Sequence, residues 1–482
     1  MNVYSYADAL EAAGAIAQAL QRCGVVPGDR VHVHLGNDEW PILALIGAAM
    51  VGACVVPTDP RSGSDDLAFV LAHSGSVASI TDGVGVAAIA SAAPMAPSLR
   101  HILLVPHAKR PPGPGLGLPV SVIAETPSAP LRAIDVDPLS PAAVMYTSGT
   151  TGWPKGVLIS HANIGFAGTC MAAQLRMRSE DRWLATMPFS HANLLLFSLS
   201  STLNTGASIA VDRFQPDTWL DSVRRYGATL SSLFGGHIRT LSAQWSEAEP
   251  TRTRLRAIIY AASAGQHAID TFERVTGAPT VQLYGLTEGI APALMHELSG
   301  NRDDVSCGKP TLWSRLQIDT TERFPGALTG ELLIGGVPGR TLMLGYLNDP
   351  QASAASLRDG WLHTGDIVEV DPTGYLRFFD RADDLVKPLA ENVSTVEIER
   401  VLAEHPAVAQ TAVLGARQDA TTILKAFVVV HPGEAADTEG IEAELTDWCR
   451  ERLADFKVPD QISVVEKLPT TLLGNIRKSS LA

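Results

Sequence analysis

The chain has 482 residues, 46% hydrophobic and 18% charged, enough to bury a large core and to divide into two or more domains. A net charge of −14 leaves no broad basic face to neutralise a phosphate backbone, so nucleic acid is excluded as the expected partner. The five cysteines (Cys23, Cys54, Cys170, Cys307, Cys449) are odd in number and lack a Cys-x-x-Cys pair; they read as reduced thiols of a cytoplasmic protein, neither a disulfide frame nor a zinc site.

Met1-Asn2-Val3-Tyr4-Ser5 lacks the basic and then apolar segments of a signal peptide, and no export is expected. A first helix is expected from about Ala7 through Leu20, ending before Cys23-Gly24. Val31-His32-Val33-His34-Leu35, Cys54-Val55-Val56-Pro57 and Ile102-Leu103-Leu104-Val105 read as strands separated by helical stretches, the pattern of α/β layering with parallel sheets. The longest uncharged apolar run, Ile42 to Val56, contains Gly47 and Gly52 and falls short of the roughly 20 residues that span a bilayer. It is expected to form a buried helix and the strand after it, not a membrane span. Pro106 to Pro119, rich in proline and glycine, reads as an exposed loop, and no internal repeat is visible.

Residues 146–156 read Tyr-Thr-Ser-Gly-Thr-Thr-Gly-Trp-Pro-Lys-Gly, after a strand end at Ala142-Ala143-Val144-Met145. Gly149 and Gly152 let the backbone turn its N–H groups inward, Thr147, Ser148, Thr150 and Thr151 add hydroxyl donors, and Lys155 adds a cation. That composition suits phosphate. It is not a Walker A loop, because no Gly-Lys-Ser/Thr follows four residues after a first glycine. A polar surface loop is the plainer reading of such a cluster, but the whole string matches the adenylation signature at every defined position. On these residues the chain resembles the AMP-forming adenylating superfamily of acyl- and aryl-CoA synthetases, luciferases and nonribosomal adenylation domains.

Two further strings carry the resemblance. In Gln282-Leu283-Tyr284-Gly285-Leu286-Thr287-Glu288-Gly289 it implies that Glu288 helps bind magnesium, Thr287 contacts the α-phosphate and Tyr284 lies beside the adenine. In Gly360-Trp361-Leu362-His363-Thr364-Gly365-Asp366 it implies that Asp366 holds the ribose diol, with Arg381 approaching ribose and phosphates. Without the resemblance, Glu288 would read as a solvated turn residue and Asp366 as a turn residue after glycine.

The resemblance covers nearly the whole chain. It implies an α/β fold with a large ATP- and acid-binding domain over 1–382, built of layered sheets and helices, and a small mobile α+β domain over 383–482 pivoting at Asp383. Within the latter, Val396 to Leu402 and Ile441 to Leu453 have helical apolar spacing, Ala426-Phe427-Val428-Val429-Val430 reads as a strand, and Phe456-Lys457-Val458-Pro459 matches another signature. Val337-Pro338-Gly339-Arg340 and Glu391-Asn392-Val393-Ser394 most resemble the carnitine/crotonobetaine-CoA ligase branch.

Two departures stand out. Asn475, in Leu468-Pro469-Thr470-Thr471-Leu472-Leu473-Gly474-Asn475-Ile476, occupies the place of the adenylation lysine, so a neutral amide replaces a cation that would stabilise developing charge. Lys478, three residues on, is a poor substitute, since an extended segment places it well away. Leu389-Ala390 replaces the Gly-Gly that lines the pantetheine tunnel in CoA ligases, where side chains would narrow it.

For the acid, Pro188-Phe189-Ser190-His191 resembles the segment whose histidine or aromatic gates the pocket, although a lone histidine is otherwise a packed or solvated residue. No aspartate appears where amino-acid-activating domains hold an α-ammonium group. Phe234-Gly235-Gly236-His237 and Ala262-Ser263-Ala264-Gly265 are expected to wall the pocket, the paired glycines leaving room for a bulky or planar acid. The resemblance implies activation of a small-molecule acid with ATP and Mg2+ as its AMP anhydride, release of pyrophosphate, and transfer to an acceptor, by default CoA. Three alternatives remain open: a carrier-protein thiol as acceptor, a diazotase that adenylates nitrite for attack by an aryl amine, and a nucleotide-binding pseudoenzyme.

Overall fold

The computed structural model describes the chain except residues 1, 107–117, 148–153, 246–247, 300–301, 303–305, 321–327, 382–392, 394, 419–420, 432–437, 454–456, 471–475, 477 and 482. It divides into two compact units: the first holds Met1–Gly300, Pro310–Arg315 and Gly335–Leu362, and the second holds Asn301–Lys309, Leu316–Ile334 and His363–Ala482.

The first unit opens with helix α1 (Tyr6–Arg22). Ser5 caps it: its hydroxyl accepts from Asp8 N–H while the Asp8 carboxylate accepts from Ser5 N–H, so the helix starts one residue earlier than apolar spacing alone predicts. Ala13, Ile16, Ala17 and Leu20, at helical spacing, form its buried face. The apolar run splits as expected into α2 (Trp40–Met50) and strand β2 (Cys54–Thr58), following β1 (Arg30–His34). At 11 residues α2 is about 16 Å long, roughly half a bilayer core. No helix among the described residues is long and apolar enough to cross a membrane.

Chain order continues through α3 (Ser64–Ser74), β3 (Ala78–Thr81), α4 (Gly85–Ala92), β4 (His101–Leu104), β5 (Val120–Val122), β6 (Pro141–Thr147), β7 (Lys155–Ser160) and α5 (His161–Gln174). There follow β8 (Arg182–Ala185), α6 (Ser200–Thr205), β9 (Ser208–Val211), α7 (Trp219–Tyr226), β10 (Leu230–Phe234), α8 (Gly235–Gln244), β11 (Ala257–Ala261), α9 (Gln266–Thr276), β12 (Thr280–Tyr284) and β13 (Leu294–Met295). Farther on lie β14 (Lys309–Pro310), β17 (Gly345–Tyr346) and α10 (Pro350–Ser356), while β15 (Arg315–Asp319) and β16 (Leu328–Gly335) fall almost wholly in the second unit.

Two sheets organise the first unit. The first runs β17-β7-β6-β2-β1-β3-β4-β5; β6 through β5 are parallel neighbours, and β7 and β17 add antiparallel. The second contains the parallel series β12-β11-β10-β8-β9, with β13 antiparallel on β12. Both begin the same way. The founding strand (β1 or β8) has its successor on one side and the strand after that on the other, so strand order reverses between β1 and β3 and between β8 and β10; in the first sheet β6, β7 and β17 then return to the β2 side. Leu184, Trp219, Leu233, Ile258 and Phe272 pack into the core beside the second sheet.

The short β18 (Leu357–Arg358) still belongs to the first unit; in the second, β19 (Trp361–Val370), most of which lies there, pairs antiparallel with β20 (Leu376–Arg381). The C-terminal part is α11 (Thr395–Ala403), β21 (Val408–Gln418), β22 (Thr421–Val430), α12 (Thr438–Arg452) and β23 (Gln461–Val464), with sheet order β21-β22-β23. Val393, Ile398, Leu402, Val413, Leu424, Val428, Leu445 and Cys449 form one core there, so the helix and strand expectations for this region hold with ends shifted by a few residues.

Candidate active site

In parallel α/β sheets, ligands collect beyond the carboxyl ends of the strands where the order reverses. The reversal between β1 and β3 is filled by the chain itself: Thr81 Oγ1 donates to the His34 carbonyl at 2.9 Å, and Asp82 Oδ1 accepts from Val84 and Gly85 N–H at the start of α4. The reversal in the second sheet receives the sequence-predicted residues. Beyond β8 lies Pro188-Phe189-Ser190-His191, beyond β10 the Phe234-Gly235 turn, beyond β11 the 262–265 segment, and at the end of β12 Tyr284.

The phosphate-loop string is mounted on a hairpin. Thr147, the last residue of β6, pairs with Lys155, the first of β7, so the loop leaves and returns at one ladder position. Ser148, Gly149, Thr150 and Thr151 lie outside the described residues. Lys155 Nζ sits 5.1 Å from the centre of the Tyr346 ring, and the Tyr346 hydroxyl donates to Glu288 Oε1 at 2.9 Å. The structure therefore brings Thr147, Lys155 and Glu288 together through Tyr346, a residue the sequence reading did not single out. No local pattern marks it, since it lies 58 positions from Glu288.

Glu288 stands in a single helical turn, Thr287–Gly289, directly after β12. Its carbonyl accepts from Met343 N–H at 2.9 Å. Behind it Ile290, fully buried, has φ 65° and ψ −59°, and Ala291 N–H donates to the Gly289 carbonyl at 2.7 Å. This is a γ-turn with positive φ at a β-branched residue, a conformation costing of order 1–3 kcal/mol that surrounding packing must hold. Among the described residues no group of three or more His, Cys, Asp or Glu is arranged to hold a metal ion. A single carboxylate still suits magnesium, which keeps waters and takes few protein ligands.

His191 is partly buried, meets the Phe234 ring edge-on at 5.1 Å, and accepts at Nδ1 from Asn193 N–H at 3.2 Å. Burial pushes its pKa down to about 4. His237 stacks on Phe214 at 3.9 Å and is likewise pushed down by burial to about 4. Both imidazoles are neutral at pH 7, so this wall carries hydrogen-bonding and aromatic groups without charge. A π-helical segment, Asn193–Leu199, follows His191, and Asn193 Oδ1 accepts from Ser232 Oγ at 2.7 Å.

One expectation for the wall changes. A Cβ on Gly235 would lie 2.4 Å from the carbonyl oxygens of both Ala262 and Ser263, so this glycine is required for the close approach of two backbones and does not make room for an acid. Gly236 has open space, its nearest neighbour being Arg239 at 3.7 Å.

In the second unit, Asp366 is buried in β19, directly opposite Arg381 of β20 in the ladder. Gly365 has φ 70°, its N–H donates to Glu331 Oε1 at 2.9 Å, and a register shift follows between Ile367 and Val368. A positive φ and an irregular ladder re-aim the side chains on either side, which the sequence hinted only through Gly-Asp. Asn475, Asp383, Leu389 and Ala390 lie outside the described residues. Lys478 is engaged with Glu399 Oε1 at 2.9 Å and Thr395 Oγ1 at 2.8 Å, and Lys457 with Glu397 at 2.7 Å, so both lysines tie the C-terminal segment to α11.

Residues 2–347 match the AMP-binding enzyme family and residues 397–475 the AMP-binding enzyme C-terminal domain. The chain belongs to the AMP-binding enzyme family. This AMP-binding enzyme is 31% identical over 494 aligned residues to a crotonobetaine/carnitine–CoA ligase of Escherichia coli O8 (strain IAI1), covering 100% of the chain and 93% of the relative. The corresponding ligase of Shigella sonnei (strain Ss046) is also 31% identical with the same coverage. Among solved structures, it is similar to o-succinylbenzoate CoA synthetase from Bacillus subtilis in complex with ATP and magnesium ion. The TM-score is 0.81 at 26% identity, covering 99% of this chain and 93% of the other. An anthranilate CoA ligase in complex with anthranoyl-AMP shares the fold with a TM-score of 0.87 at 24% identity, covering 98% and 90% of the two chains. The AMP-binding enzyme is thus an adenylate-forming ligase.

Proposed function

We propose that this enzyme activates a small-molecule organic acid with ATP and transfers it to an acceptor, by default the thiol of CoA. The observation that carries the reading is the grouping of Glu288 and Lys155 on opposite parts of Tyr346, beside the stem of the hydroxyl-rich loop. In the first step an acid oxygen attacks the α-phosphorus of ATP, the new O–P bond forms, and the bond to the β-phosphate oxygen breaks to release pyrophosphate. Thr147, Lys155 and Thr287 donate to phosphate oxygens as charge shifts onto them, and Tyr284 lies against the adenine. His191 borders the acid. Asp366 and Arg381 are assigned to the ribose and its phosphate. Magnesium, held by Glu288 and phosphate oxygens, would neutralise triphosphate charge.

The acid is expected to be neutral apart from its acidic group. Residues 186–193, 234–237 and 261–265 contain no Asp or Glu to hold an ammonium, and both histidines of the wall are neutral. The names of the relatives support CoA as acceptor. A second reading rests on Asn475 and Leu389-Ala390, which stand where the resemblance expects a lysine and two glycines: their replacement favours an acceptor other than CoA, either a carrier-protein thiol or, after adenylation of nitrite, an aryl amine. The test is acid-dependent pyrophosphate release across a panel of acids, each with CoA, a carrier protein, or nitrite plus aryl amine. Thioester with free CoA supports the first reading, product only with carrier or amine supports the second, and no release with any acid contradicts both.

A further inference from the structure

Tyr346 touches both charged groups assigned to the triphosphate, and it does so with chemically different parts of one side chain. Its O–H donates to Glu288 Oε1 at 2.9 Å, and its ring face lies 5.1 Å from Lys155 Nζ, within the roughly 6 Å range of cation–π attraction. A lysine and a glutamate brought this close would otherwise pair directly, each cancelling the charge the other must present to a ligand. The intervening phenol gives each ion its own partner. A carboxylate has about four lone-pair sites, and an O–H on Oε1 fixes its orientation while occupying a single one of them.

The scaffold fixes that arrangement from both ends. Tyr346 pairs with Val157 of β7, its N–H donates to Ser353 Oγ at 2.8 Å, and Leu347 N–H donates to the Gly156 carbonyl at 2.8 Å, next to Lys155. Met343, on the same segment, donates its N–H to the Glu288 carbonyl at 2.9 Å. One short stretch, 343–347, therefore registers the turn that carries Glu288 against the hairpin that carries Lys155.

We propose that Tyr346 is a positioning residue that holds the Glu288 carboxylate aimed for magnesium while keeping Lys155 from pairing with it; this rests on the roles given to Glu288 and Lys155 above. The experiment measures equilibrium binding of α,β-methylene-ATP to the full chain by calorimetry, without acid and so without turnover, over a range of free Mg2+. Tyr346→Phe keeps the ring and removes the O–H. It is expected to raise the Mg2+ concentration for half-maximal binding about tenfold, roughly 1.4 kcal/mol, with affinity at saturating Mg2+ and the unfolding midpoint near wild type. Tyr346→Leu removes the ring as well and is expected also to weaken binding at saturating Mg2+. In a Glu288→Gln background, Tyr346→Phe should shift nothing further. An unchanged Mg2+ requirement in Tyr346→Phe, with or without lost stability, would overturn the proposal, as would a full shift persisting beside Glu288→Gln. If Glu288→Gln alone leaves the Mg2+ requirement untouched, it is the role of Glu288 that fails.

Discussion

Glu288 is fixed by contacts of three kinds: the Tyr346 hydroxyl on its carboxylate, the Met343 N–H on its carbonyl, and the buried γ-turn at Ile290 two residues on. Such restraint is expected of a preorganised charge, whose removal typically costs about 10²–10³ in rate. Glu288→Ala and Thr147→Ala are each expected to cut pyrophosphate release by about that factor while leaving the unfolding midpoint close to wild type. Full activity in either variant would remove that residue from the site. His191 and His237 make a different prediction, one about stability. Burial lowers both to about 4, against 6.5 for a free imidazole, so between those values the unfolded chain binds protons that the folded chain refuses. Stability is therefore lost as pH falls from 6.5 towards 4. His237→Phe, which keeps a ring against Phe214, should flatten the fall in urea midpoint between pH 7 and 5; an unchanged slope would show that His237 is not the group refusing the proton.

At the scale of elements, the second sheet is held at both strand ends. At the amino ends Asp181, just before β8, accepts from Arg256 at 2.8 and 2.6 Å through both oxygens and from Thr229 Oγ1 at 2.7 Å, which ties β8 to the starts of β10 and β11. Breaking a buried pair costs about 3–5 kcal/mol, and because the Arg256 side chain is 32% exposed we expect Arg256→Ala to cost about 2–3 kcal/mol in urea unfolding. A loss below 0.5 kcal/mol, the ordinary range for a surface substitution, would mean that Asp181 finds water instead. At the carboxyl ends the Phe234-Gly235 turn lies against the backbone of 262–263. Gly235→Ala must push the two turns apart. It is expected to cost about 1–3 kcal/mol and to lower acid affinity more than ATP affinity, whereas Gly236→Ala, with open space around it, should leave both near wild type.

The whole molecule shows how far sequence reaches. Strands such as Val31–Leu35 and Cys54–Pro57 are legible because short valine-containing runs bounded by turn residues have little alternative inside a parallel sheet. The strings at 146–156, 282–289 and 360–366 stand out in the sequence because each concentrates glycines, hydroxyls and a charged residue within a few positions. What escapes is assembled across long separations: the strand-order reversal shared by the two sheets leaves no repeat in the residues, and Tyr346, Asp181 and Arg256 acquire partners only when strands are brought side by side. Gly235 illustrates the opposite error, a local reading of free space that a distant backbone in fact occupies. The assignment of a pivot to Asp383 makes its own prediction. Asp383→Pro should fix one backbone angle and remove an N–H, lowering turnover while leaving nucleotide affinity nearly intact, and loss of both or of neither would argue against a hinge there.

Attack of an acid oxygen on the α-phosphorus of ATP leaves an isotopic trace. The enzyme is supplied with ATP, Mg2+, the best acid of the panel labelled with 18O in its acidic group, and its acceptor, and the nucleotide product is weighed by mass spectrometry. AMP carrying one 18O, left behind when the acyl group moves on, is expected together with unlabelled pyrophosphate. Unlabelled AMP, or ADP in its place, would contradict such an attack.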